Sequence, residues 1–147
     1  KPKPPWEPIA TRWMKMLIAI VSVVGGLIGL LAFIYYYNTT NDAVFARSVA
    51  FAVLGVNSLV YVFSIRTLTK PFWVENPLEN KWLNAAVFVG LIFQFIPFST
   101  PFLREFFGLT FPGYGPILMA FIAALSVFIM IEVTKSIVRK HLEWFQH

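Results

Sequence analysis

Asn57, Ser58, Tyr61 and Ser64 fall within one long apolar run, Ala43 to Arg66, and their spacing limits what they can do. As a helix the run is long enough to cross a hydrocarbon core of roughly 30 Å. Asn57, Tyr61 and Ser64 then share one face. Polar side chains at that depth lose water and must bond to a neighbouring helix, a bound ion or a hydrated cavity. Asn57 and Ser58 present neutral oxygens, so two kinds of chemistry are open to them. One is cation coordination, and the other is interhelical hydrogen bonding worth roughly 0.6 to 2 kcal/mol each. Gln94, alone in another apolar run, reads as a hydrogen-bonding link between helices.

The remaining reactive residue types carry less. Glu132 and Lys135 lie three apart and read as a surface pair near the end of a span. His141 and His147 sit in the tail without the partners a metal site needs and read as solvated. There is no cysteine, which excludes disulfides, thiolate metal sites and a cysteine nucleophile. The sequence also has no Asp-Lys-Thr-Gly-Thr run, no glycine-rich phosphate loop and no pair of carboxylates that would hold magnesium. On its own the chain is expected to hydrolyse nothing and to hold no cofactor.

The positions of these residues depend on the elements that carry them. Hydrophobic residues make up 58% of the 147 and charged residues 13%, about half the charge of a soluble domain. The charges are bunched between apolar runs, the pattern of a multi-pass membrane protein. A net charge of +5 beside such runs points to anionic lipid headgroups and membrane orientation, not to nucleic acid.

Four transmembrane helices are expected, at about 13–37, 43–66, 82–98 and 116–138, forming an all-α bundle. Residues 1–12 form a proline-rich approach, which reads as the continuation of a longer polypeptide, and residues 139–147 form a basic tail. Gly25, Gly26 and Gly29 leave one side of the first span nearly bare, so a neighbour can pack closely there. Asn41 or Asp42 is placed to cap the second helix, and Asn80 the third. Pro97 should kink or end the third helix, leaving Arg104 and Glu105 in water. Ten of the twelve basic residues fall on one side of this arrangement, with Arg47 and Arg104 on the other. That makes the first side cytoplasmic and puts both termini there. All five tryptophans lie near the same face.

Several short runs, in order, resemble the C-terminal membrane domain of cation-transporting P-type ATPases of the calcium-pump kind. Lys3-Pro4-Pro5-x-Glu7-Pro8-Ile9 resembles the basic, proline-rich run ahead of that family's seventh membrane helix, and Gly25-Gly26 is similar to its paired glycines. Ala46-Arg47-Ser48-x-Ala50-Phe51 resembles the opening of the eighth helix, and Asn80-Lys81-Trp82-Leu83 that of the ninth. Gln94, Pro101, Leu103, Phe107 and Gly108 fall at family-like intervals, and Glu132-x-x-Lys135 resembles the end of the tenth.

The resemblance implies four helices that brace the moving, ion-carrying helices of a pump. It also implies ATP and magnesium chemistry in other parts of the parent protein, and a multi-pass location, most simply the plasma membrane. The expected partners are the lipid bilayer and the remaining membrane helices and cytoplasmic domains. In calcium pumps the eighth helix gives an acidic side chain to a cation site, and that position falls on Ser58, beside Asn57. Here the sequence departs from the family, because a hydroxyl and an amide replace a carboxylate, which weakens or removes one calcium site. Gly25, Gly26, Gly29, Gln94 and Tyr61 are expected in helix packing. Two other readings fit the residues alone: a free-standing accessory subunit or scaffold, and a small dimeric secondary transporter. The second would require an inverted repeat that the two halves do not show.

Overall fold

The computed structural model describes residues 12–66 and 79–144. The approach before Arg12, residues 67–78 between the second and third spans, and residues 145–147 of the tail lie outside the described residues. Within them the chain is all helical: α1 (Arg12–Thr40), α2 (Ala43–Arg66), α3 (Lys81–Ser99), α4 (Pro101–Phe107) and α5 (Tyr114–Trp144). All but α4 are long and apolar enough to cross a membrane.

The boundaries follow from local chemistry. Asn41 takes a positive φ of 53° between α1 and α2, a conformation its short polar side chain tolerates. The next residue, Asp42, caps α2: its Oδ1 accepts the Val44 and Phe45 N–H groups at 2.8 and 3.0 Å. Asn80 caps α3 in the same way, accepting the Leu83 N–H at 3.0 Å. Pro97 lies inside α3, which ends two residues later at Ser99.

The stretch expected as a water-facing loop around Arg104 and Glu105 is instead the short helix α4. Thr100 accepts the Leu103 N–H, Pro101 opens the first turn, and Gly108 closes the helix at a left-handed φ of 59°. Proline at the start and glycine past the end is the usual asymmetry of helix ends. The basic run at the end of the chain is also helical, since α5 continues through it to Trp144.

Helix α2 is the centre of the bundle, packing against α1, α3 and α5. Tyr36 meets Phe45 and Gly29 meets Leu54, so α1 and α2 run antiparallel. Gln94 meets Phe51 and Gly90 meets Leu59, so α3 is antiparallel to α2 as well. By contrast Ser48 bonds to Thr110 and Ser64 to Glu132, which makes α5 parallel to α2. With this alternation α1 begins and α5 ends at the same end of the bundle.

Small residues let the axes approach: Ala46, Ala52, Ala120 and Ala124 are fully buried. Val49, Val53 and Ala120 form one core cluster, and Val21, Val127 and Ile131 another. Outward faces carry Leu31, Phe88, Phe93, Leu118 and Leu125. Lipid accepts such a surface, and water does not.

Candidate functional site: the polar positions of α2

The polar residues of α2 separate by the helix they meet. Asn57 is buried, 2% exposed, and its Nδ2 donates to the Tyr61 hydroxyl at 2.9 Å. That hydroxyl donates in turn to the Val21 carbonyl of α1 at 3.1 Å. The contact needs Gly25, because a Cβ there would collide with the Tyr61 hydroxyl and lie 3.1 Å from Asn57 Nδ2. One turn on, a Cβ at Gly29 would strike Leu54, whereas one at Gly26 would meet nothing within 4 Å. Asn57 Oδ1 is buried and has no hydrogen-bond partner among the described residues.

Ser58, the next residue, behaves differently. Its side chain is exposed on the outside of the bundle, and its hydroxyl donates to the Gly55 carbonyl at 2.8 Å. The structure therefore does not bring Asn57 and Ser58 into one site. On a third side of α2, Gln94 Nε2 donates to the Phe51 carbonyl at 2.9 Å, and its amide lies where a Cβ at Gly55 would be. Gly55 and Gly90, absent from the expected packing glycines, each make room for a side chain from the facing helix, Gln94 and Leu59 respectively. The available signal was a small residue inside an apolar run, Gly90 lying one helical turn before the lone amide Gln94.

The largest correction concerns Glu132 and Lys135. They form the pair that their spacing predicts, with Lys135 Nζ donating to Glu132 Oε1 at 2.8 Å, but it is not at the surface. The Lys135 and Glu132 side chains are 0% and 2% exposed. Both turn toward α2, where Ser64 meets them with its hydroxyl and its carbonyl. Lys135 Nζ donates to Ser64 Oγ at 3.1 Å and to the Ser64 carbonyl, and Ser64 Oγ donates to Glu132 Oε1 at 2.5 Å. Toward lipid the pair would find no further hydrogen-bonding group, whereas Ser64 supplies both a hydroxyl and a carbonyl at this level.

At the opposite end of α2 the links are mostly neutral. Ser48 Oγ donates to the Val44 carbonyl at 2.7 Å and accepts the Thr110 N–H at 2.8 Å. Arg47, exposed, donates to the Gly108 carbonyl. Among the described residues no three His, Cys, Asp or Glu side chains group as a metal site would need. The arrangement provides helix anchoring, one outward hydroxyl at Ser58 and one orphan acceptor at Asn57.

Such a scaffold of membrane helices has relatives among ion pumps. Residues 1–137 match the family described as "Cation transporting ATPase, C-terminus", and the chain belongs to that family. It is 33% identical to "Calcium-transporting ATPase 1" of Bacillus cereus across 77% of this chain, and 29% identical to "Calcium-transporting ATPase" of Bacillus subtilis across 73%. The matched region spans 15% and 12% of those relatives' lengths.

Proposed function

We propose that this chain braces the ion-carrying helices of an ATP-driven cation pump, with calcium as the transported ion. The family match over nearly the whole chain carries the reading, and the names of the two Bacillus relatives support calcium. Phosphoryl transfer from ATP, with its magnesium, belongs to other domains of the pump. These helices supply a fixed wall in the bilayer for the remaining membrane helices to work against. Both termini are cytoplasmic, in keeping with the excess of basic residues on that side, and the membrane is the plasma membrane.

Ser58 is the position we assign to the ion path. Its exposure on the outside of α2 supports this, because that side is open to a helix from the rest of the pump. Asn57, turned toward α1, keeps α2 at its distance from Gly25. A serine hydroxyl is a weaker calcium ligand than a carboxylate, so the pump carries one calcium fewer than a relative with an acid there.

The test is calcium-dependent ATP hydrolysis by the whole pump. Ser58→Glu is expected to raise calcium affinity by adding a carboxylate, whereas Ser58→Ala leaves it nearly unchanged if the serine only packs. An unaltered calcium response in Ser58→Glu removes Ser58 from the ion path. A wild-type protein whose ATP hydrolysis ignores every cation tried contradicts the pump reading itself.

A further inference from the structure

The Lys135 ammonium occupies an unusual place. It is buried between two helices long enough to span a membrane, and its nitrogen donates to three oxygens: Glu132 Oε1 at 2.8 Å, Ser64 Oγ at 3.1 Å and the Ser64 carbonyl. An ammonium has three protons, and these three oxygens match them in number. One oxygen is anionic, one a hydroxyl and one a backbone carbonyl, a donor set that would also suit a small monovalent cation. One to two turns back along α5, Ile131 and Val127 form an apolar cluster with Val21 of α1.

We propose that Ser64 and Glu132 form a monovalent-cation site between α2 and α5, and that its permanent occupant is the chain's own Lys135 ammonium. The physical case rests on charge. A carboxylate this deeply buried needs a positive partner close by, and the protein supplies one on a tether three residues along the same helix. A tethered cation cannot leave, so the site joins α2 to α5 permanently and is closed to any mobile ion. The inference concerns only residues of this chain and holds whichever ion the pump carries.

Shortening the tether should convert the closed site into an open one. In Lys135→Ala of the full chain, purified in detergent, the midpoint of thermal unfolding is expected to fall by roughly 5 to 10 °C. Ammonium or ethylammonium chloride should then restore part of that loss saturably, because each carries N–H donors into the vacated space. Choline chloride at equal ionic strength should not, having no N–H, and wild type should respond to none of the three. A Lys135→Ala protein that gains nothing from ammonium or ethylammonium, or gains as much from choline, overturns the assignment.

If Lys135→Ala does not fold, the neutral pair Glu132→Gln/Lys135→Ala decides. It has the same shortened side chain at 135 but no charged carboxylate at 132 to attract a cation, so it is expected to fold and to ignore the amines. Failure of the neutral pair to fold would mean that packing by the lysine stem, not its charge, is what the junction requires, and the proposal falls.

Discussion

The two ends of α2 are joined to the α5 side in different ways. Near its start, Ser48 accepts the Thr110 backbone N–H, and exposed Arg47 reaches the Gly108 carbonyl. Near its other end, Ser64 meets a buried carboxylate and a buried ammonium from α5 itself. Both ends use a serine, yet the first link is to a loop and the second to a helix. A neutral hydrogen bond contributes about 1 kcal/mol, while a buried ion pair is strongly destabilising when only one partner is removed. The start of α2 can therefore adjust with its loop, and the other end holds α2 and α5 in one register.

The comparison can be broken most severely at the charged end. Glu132→Ala leaves the Lys135 ammonium without its carboxylate and is expected to cost about 3 to 5 kcal/mol in chemical unfolding. Next comes the α2–α3 contact, where Gly55→Leu would push into the Gln94 amide; overpacking there should cost about 1 to 3 kcal/mol. At the neutral end, Ser48→Ala strands the Thr110 N–H and should cost about 1 to 2 kcal/mol by the same assay. Asp42→Ala removes the cap of α2 and should cost about 1 kcal/mol. A Ser48→Ala loss equal to that of Glu132→Ala would erase the distinction between the ends.

Much of this architecture was legible in the sequence. Long apolar runs mark the four helices, because a membrane-crossing length is set by the bilayer and not by tertiary detail. Asp42 and Asn80 cap the helices they precede, since capping depends only on the residues in that turn. Helix α4 was missed although its signals were present: Thr100 and Pro101 at the start and Gly108 at the end. Proline after a span can end one helix and open the next, as Pro101 does here.

The burial of Glu132 and Lys135 was not legible. A spacing of three residues gives the same pair whether it faces water or another helix. What distinguishes the two is Ser64 lying level with the pair, and that depends on the parallel register of α2 and α5, set by contacts about 68 residues apart in the chain. The same holds for Asn57 and Ser58, whose neighbours in space differ because a helix turns about 100° between them.

The fixed junction is tested most directly by a double-mutant cycle on Glu132 and Lys135, read by unfolding of the full chain. Glu132→Gln and Lys135→Met are each expected to destabilise strongly, and the double variant to recover much of the loss, giving a coupling of at least about 2 kcal/mol. A cycle whose single losses add to within about 0.5 kcal/mol would mean that the two side chains act independently, and α2 would have no charged lock on α5.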